Sequence, residues 1–488
     1  MNPLKKLFKQ TFVYGLATVL PRVLSFLLVP LYTSVMTTET YGEISVVFSW
    51  FAIFNVVLAY GMETAFFRFF NKHSDKESVI STSLISLLVS SILFFVVVLT
   101  FENGFAMLID VKESLILYIL LILVFDALTI VPFAWLRADE RPLRYSIVKV
   151  TSVGINLLLN IFFLTLLPKM AMENGQPLWS EIYKENFQIE YVFIANVISS
   201  GVALIWVSGL YFDAKYSFNK QLWKEMMKYA LPVMWAGIAF TINEVFDRVL
   251  LDHLLPEDIA RAEIGKYSAC YKLAVFMTLF GTAFRLGVEP FFFSHANAKN
   301  PQKTYAQITN YFVIMGSLIF FGVMAFIDPL KKVLVRDSAY WEAMDVVPII
   351  LLASFCLGIY HNLSVWYKVT DKTKYGAYIS SVGAVITLVI NIGFIPKIGY
   401  MASALATLAA YGCMMLLSYF FGKKYYPVPY NMRKIVFYLS VSILFSALSF
   451  YVFNRNLIAG SLLLLLFLGL IYRMEGDNLR SIFLKRED

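Results

Sequence analysis

Residues 11–36 read TFVYGLATVLPRVLSFLLVPLYTSVM, with a single charge, Arg22, near the middle. An apolar helix needs about 20 residues to cross the hydrocarbon of a bilayer, so this stretch reads as a membrane span. Before it lies MNPLKKLFKQ, a short basic segment. The combination has the outline of a signal peptide. The apolar run is too long for an h-region, however, and no small-residue cleavage site closes it. A retained first span is therefore expected.

The same texture continues outward along the chain. Hydrophobic residues make up 59% of the 488 residues and charged residues 15%, whereas a soluble domain is about half apolar and about a quarter charged. Apolar runs between polar breaks predict about fourteen helices, near 11–36, 42–70, 78–101, 114–136, 144–167, 189–212, 229–255, 265–294, 304–328, 344–368, 375–396, 400–422, 433–453 and 457–473. The fold class is thus all-α integral membrane. The longest polar interval, Lys169 to Glu190, cannot house a soluble catalytic domain, and no G-x-x-x-x-G-K-[ST] loop occurs to support an ATPase. Cys270, Cys356 and Cys413 lie in apolar runs without metal-ligand spacing and read as small core residues.

Lys and Arg set the orientation. With the N-terminus inside, the inner loops carry 27 of them and the outer loops 10. Fourteen helices with both ends cytoplasmic give this asymmetry, and one missed helix would invert it. Lys331, Lys332 and Arg336 are the local exception. The segment Phe218–Tyr229 (FNKQLWKEMMKY) alternates basic and apolar residues at helical spacing. It is expected to lie on the cytoplasmic membrane surface.

The chain also resembles itself. Tyr41-Gly42-Glu43-Ile44-Ser45 in the second span answers Ile264-Gly265-Lys266-Tyr267-Ser268 in the eighth. Ser152-Val153-Gly154, Asn160 and Pro168-Lys169 answer Ser381-Val382-Gly383, Asn391 and Pro396-Lys397. An offset of six helices preserves orientation, so the repeat is parallel, with its axis along the membrane normal. The expected organisation is an N-terminal six-helix lobe (1–214), an amphipathic linker (215–228), a C-terminal six-helix lobe (229–424), and two extra helices with a cytoplasmic tail (425–488).

A charge at bilayer depth is costly and points to function. Arg22, Arg248, Lys272 and Arg285 are the cations inside the spans, and Glu63, Asp126, Glu244, Asp247, Glu289 and His361 accompany them. Glu244–Arg248 and Arg285–Glu289 are spaced i, i+4 and can pair within one helix. That would leave Asp247, Asp126, Arg22 and Lys272 to a cross-helix partner or a water-filled cavity. A net cationic cavity suits a phosphate or diphosphate. Against this stands snorkelling of Arg68, Arg285 and Lys368 to the inner interface. His361 reads as a packed polar residue or a proton carrier. Pro21, Pro30 and Pro132 interrupt helical hydrogen bonding and are candidate bending points. Trp50, Tyr60 and Trp366 are candidates to stack on sugar, beside their ordinary use as core and interface residues.

Ordered motifs carry a family resemblance over essentially the whole chain. They are Pro30-Leu31-Tyr32-Thr33, Tyr41-Gly42, Gly61-Met62-Glu63-Thr64-Ala65 with Arg68-Phe69, Asp247-Arg248-Val249-Leu250-Leu251, Gly265-Lys266-Tyr267-Ser268-Ala269 with Tyr271-Lys272, and Gly399-Tyr400-Met401-Ala402-Ser403-Ala404. The sequence resembles the Wzx-type polysaccharide flippases of the multidrug/oligosaccharidyl-lipid/polysaccharide exporter superfamily. The resemblance implies two six-helix lobes with two further helices. It also implies translocation of undecaprenyl-diphosphate-linked oligosaccharide units across the bacterial inner membrane by alternating access, for polysaccharide (O-antigen type) biosynthesis. Arg22 and Asp247-Arg248 match the family pattern; the other charges are assigned from burial.

On this reading Arg22, Arg248, Lys272 and Arg285 bind substrate, and Glu63, Asp126, Glu244, Asp247, Glu289 and His361 couple or gate. The chain is expected to be no enzyme, to hold no cofactor or metal, and to draw on H+ or Na+ gradients. Its partners would be the lipid-linked oligosaccharide, membrane lipid, and a polysaccharide polymerase with chain-length proteins, and not nucleic acid. A multidrug exporter or another lipid-linked precursor exporter of the same fold is the alternative. A membrane glycosyltransferase or polymerase would need a larger outer loop than the one holding Glu173, Glu181 and Glu185.

Overall fold

A computed structural model describes residues 19–173, 177–294 and 300–484; these are almost wholly helical and contain no strand. Fourteen apolar helices follow in order. They are α1 (Val19–Val35), α2 (Thr38–Lys72), α3 (Lys76–Thr100), α4 (Glu113–Ala138), α5 (Pro142–Met172), α6 (Gln188–Phe212), α7 (Lys220–Leu254) and α8 (Glu257–Glu289), then α9 (Pro301–Ala325), α10 (Ser338–Val369), α11 (Lys374–Ile398), α12 (Tyr400–Tyr425), α13 (Met432–Val452) and α14 (Leu457–Gly476). All but α1 are long and apolar enough to span a bilayer. The start of the expected first span, with Lys5, Lys6 and Lys9, lies outside the described residues, as do Lys299, Lys485 and Arg486.

Polar side chains start several helices. The Thr37 hydroxyl accepts from Thr40 N ahead of α2, Asp75 from Ser78 N ahead of α3, and Asn219 from Gln221 N and Leu222 N ahead of α7. Each satisfies a backbone donor that a helix start leaves open. The two weakest expected spans, near 433–453 and 457–473, are present as α13 and α14. Helices α7 and α8 begin earlier than their apolar runs, because hydropathy marks where a helix meets lipid and not where it starts. Residues 220–229 are the first turns of α7 and not a separate surface helix. At 1.5 Å per residue, its 35 residues reach roughly 50 Å, well beyond the hydrocarbon.

The expected bends are partly realised. The α1 helix is interrupted at Leu27, near where Pro30 withholds a donor from the preceding turn, whereas α4 runs unbroken past Pro132. The α2 helix breaks at Tyr60–Gly61, both left-handed (φ 31° and 73°). A Cβ on Gly61 would lie 2.3 Å from the Ala230 carbonyl oxygen, so glycine is required by both conformation and space.

The chain divides into two compact units. One holds the residues up to Ser268 together with Gly383–Ser403; the other holds Ala269–Val382 and the residues from Ala404 onward. In the first unit α2 packs on α7, and α4 on α3 and α6. Met62, Phe66, Leu84, Val131, Leu222 and Met226 form a core there. In the second unit α9 packs on α13, and the later part of α8 on α10. Tyr360, Trp366, Ile379, Tyr411 and Met414 form its core. Trp366 is 1% exposed and stacks on Tyr425, which removes it from the sugar-stacking candidates.

Candidate functional site

In the first unit the charges of α7 are closely organised. Arg248 Nη1 donates to Asp247 Oδ1 at 2.7 Å and to the Glu244 backbone carbonyl at 2.9 Å. Tyr267 of α8 donates its hydroxyl to Asp247 Oδ2 at 2.6 Å, and the Arg248 guanidinium lies 5.2 Å from the centre of its ring. Asp247 and Arg248 are both buried. Asp247, expected to lack an intrahelical partner, therefore has one in its own neighbour. Helical side chains lean toward the N-terminus, which brings the Arg248 guanidinium back over the turn that ends at Asp247. Glu244 is exposed one turn earlier, and Arg22 is exposed on α1.

Other acids of this unit are also engaged. Glu63, just after the α2 break, pairs with Arg137 at the end of α4. Arg137 also lies over the rings of Phe67 and Tyr145. Asp126 accepts from Ser200 of α6 at 2.8 Å, and Lys149 of α5 sits 4.3 Å over the Phe133 ring. Arg68 stacks on Tyr229 at 4.3 Å.

The second unit gathers the remaining candidates on α8 and α10. Arg285 Nη1 stands 3.5 Å from His361 Nε2. Glu289 takes Lys368 as its partner at 2.6 Å, across the helix pair, instead of Arg285 in its own helix. These four side chains line a narrow cleft with Asn362 and Val365. Lys368 thus does more than snorkel. Lys272 is exposed in a 3-10 interruption, Lys272–Ala274, that divides α8.

Charge counting overlooked the neutral network. Tyr32 donates to Asn160 Oδ1 at 2.9 Å, joining α1 to α5. Thr387 donates to Asn243 Oδ1 at 2.9 Å, joining α11 to α7. Ser403 donates to Asn391 Oδ1 at 2.7 Å, joining α12 to α11. The repeat had marked Asn160 and Asn391, and both are fully buried. Tyr267 and Arg137 were also missed as site residues. Tyr267 stood in a repeat motif, while Arg137 was counted as a loop cation.

Three of the five acids expected to couple or gate thus have a basic partner. Asp247, Glu63 and Glu289 each face a basic side chain, and Asp126 a hydroxyl.

The family model for polysaccharide biosynthesis proteins matches residues 7–284, and the MatE model matches residues 232–392. No curated protein matches the chain. Among solved structures, the lipid II flippase MurJ in an inward closed conformation is 15% identical with a TM-score of 0.74, covering 95% of this chain and 99% of that one. An inward-facing multidrug resistance MATE family transporter of the MOP superfamily is 12% identical with a TM-score of 0.62, covering 88% and 96%. A MOP superfamily transporter from Pyrococcus furiosus, described as having a binding pocket of reverse polarity, is 12% identical with a TM-score of 0.59, covering 89% and 97%. The chain is a multi-pass membrane protein with the MATE and flippase fold.

Proposed function

The chain belongs to the polysaccharide biosynthesis protein family, and from that premise we propose that it is a flippase for undecaprenyl-diphosphate-linked oligosaccharide units in the bacterial inner membrane. The observation that carries this reading is the charge balance inside the spans. Arg22, Arg248, Lys272 and Arg285 are the cations the sequence points to there; Asp247 is paired with Arg248 itself, while Glu63 and Glu289 take other bases, Arg137 and Lys368, as partners. Arg285 meets His361 at 3.5 Å, and the carboxylate in the same cleft, Glu289, is paired with Lys368. A guanidinium in that state favours phosphate oxygens, for which its planar fork of donors is suited.

In the proposed cycle the diphosphate enters an inward-open cavity from the cytoplasmic side and meets Arg22, Arg248, Lys272 and Arg285, the sugar occupies that aqueous cavity, and the prenyl tail stays in lipid. Lobes 1–214 and 229–424, joined through 215–228, rock against each other, with both termini cytoplasmic and residues 425–488 as an added hairpin and tail. Glu63, Asp126, Glu244, Asp247, Glu289 and His361 exchange partners or protons as H+ or Na+ drives the cycle. A polymerase and chain-length proteins receive the product. The multidrug alternative needs an anionic cavity for cationic drugs, and the basic partners of Glu63, Asp247 and Glu289 weigh against it.

The test is complementation with Arg22→Ala and Lys272→Ala at matched protein levels, reading surface polysaccharide. Loss of surface glycan with accumulation of the lipid-linked precursor inside is expected. Normal surface glycan in both variants would remove the diphosphate role from these residues.

A further inference from the structure

The first turns of α2 and α8 cross with their backbones in direct contact. A Cβ on Gly42 would lie 1.8 Å from the Arg261 carbonyl oxygen and 3.1 Å from Gly265 N. A Cβ on Gly265 would lie 1.9 Å from the Thr38 carbonyl oxygen and 3.1 Å from Gly42 N. The contact is reciprocal, and the two glycines are counterparts in the internal repeat. Two repeats meeting at equivalent residues do so on their symmetry axis. Neither helix can approach this closely with any side chain at the crossing.

Arg261 lies one turn before Gly265 and is held on two sides. Its Nε contacts Asp252 Oδ1 at 2.6 Å, at the end of α7. Its Nη2 donates to the backbone oxygen and Oδ2 of Asp110, both at 2.7 Å, in the connection between α3 and α4. One turn inward of Gly265, Ser268 is 3% exposed, and its hydroxyl has no hydrogen-bond partner. A buried hydroxyl without a partner is unfavourable, and water reaching it would remove that cost. Ser268 is therefore polar surface sealed under the crossing.

We propose that the Gly42–Gly265 crossing, latched by Arg261, is a gate that closes the outer end of the transport path. The inference rests on the transporter reading and on the cytoplasmic placement of the termini, which puts the starts of α2 and α8 outside. Two smooth backbone surfaces can part without unthreading side chains, and ion pairs at a membrane surface can exchange for water. Ser268 becomes hydrated when they part.

The experiment uses full-length protein with Cys270, Cys356 and Cys413 replaced by alanine and Ser268→Cys introduced as reporter. A membrane-impermeant maleimide is applied to the outer face of intact cells. Labelling is expected to be slow in this parent. It is expected to rise at least several-fold on adding Gly42→Leu, which forces the crossing apart, or Arg261→Gln, which removes only the latch. Gly104→Ala, where a Cβ would meet nothing within 4 Å, is expected to leave it unchanged. Should Gly42→Leu fail to accumulate, Arg261→Gln decides. Unchanged labelling at normal protein level, or labelling that proceeds only from the cytoplasmic side, overturns the proposal. The readout needs no substrate, so a wrong substrate shows as normal surface glycan in the Arg22→Ala and Lys272→Ala variants while the labelling result stands.

Discussion

Replacing Arg248 by alanine tests the centre of the site in the first unit. The Arg248 and Asp247 side chains are 8% and 4% exposed and meet at 2.7 Å. Removing one partner of a buried pair costs about 3–5 kcal/mol, because the other charge stays behind. Here Asp247 keeps two hydrogen bonds, from the Tyr267 hydroxyl at 2.6 Å and from the backbone N–H of residue 248 at 2.9 Å. The loss should therefore sit at the lower end, about 3 kcal/mol. The matched change Asp247→Asn removes the carboxylate that faces the buried guanidinium and should likewise destabilise. The double change Asp247→Asn with Arg248→Met removes both charges and should recover much of the loss, so the two effects are strongly non-additive. The buried thiols of Cys270 and Cys356 allow unfolding of the purified protein to be followed with a thiol-reactive fluorophore. An Arg248→Ala protein as stable as the parent, or a double variant whose loss is the sum of the singles, would refute this account of the pair. A double variant that regains stability without regaining export would separate a transport role of Arg248 from a structural one.

Two further outcomes follow from single contacts. Gly61→Ala should destabilise by at least about 1–3 kcal/mol, the cost of a left-handed non-glycine residue, since φ is 73° and the new methyl would press on the Ala230 carbonyl; the thermal midpoint against Gly104→Ala checks it. Ser403→Ala withdraws the donor from Asn391 Oδ1, which is fully buried, and should cost about 1–3 kcal/mol, read by the same thiol assay.

The spans were legible because bilayer thickness imposes a length on apolar runs, and a missed helix would have inverted the loop charges. Their ends were less legible. The amphipathic start of α7 carries Lys220, Lys224 and Lys228 and looks like an interfacial helix, yet Leu222 and Met226 are buried in the core of the first unit. Hydropathy cannot separate a helix lying on lipid from one continuing into solvent with an apolar stripe against protein. The charged residues were found because charge is rare at depth, but their pairing was not. Spacing along one helix predicted Arg285 with Glu289, and the facing helix supplied Lys368 instead. Partners on other helices, such as Tyr267 and Ser200, carry no signal in the sequence of the residue they serve.

The internal repeat gives a way to separate architecture from chemistry. Positions that stay alike in both halves, Gly42 with Gly265 and Asn160 with Asn391, are a backbone crossing and buried amides that tie helices together. Positions that diverge carry the charges. Ile44 in the first half answers Tyr267 in the second, and Tyr267 holds Asp247. Arg22 and Arg248 are 226 residues apart, close to the offset of the repeat motifs, but Arg248 follows Asp247 whereas Arg22 follows Pro21. The Arg248 guanidinium is therefore buried beside a carboxylate built into its own helix, whereas Arg22 is exposed on a helix interrupted at Leu27. For the proposed flippase, which would take up a diphosphate and then let it go, this difference in exposure is useful. An exposed arginine can engage the anion directly, and a tethered one engages it only in competition with its carboxylate. Arg22→Ala should accordingly reduce substrate binding more than Arg248→Ala, and Asp247→Asn should slow release.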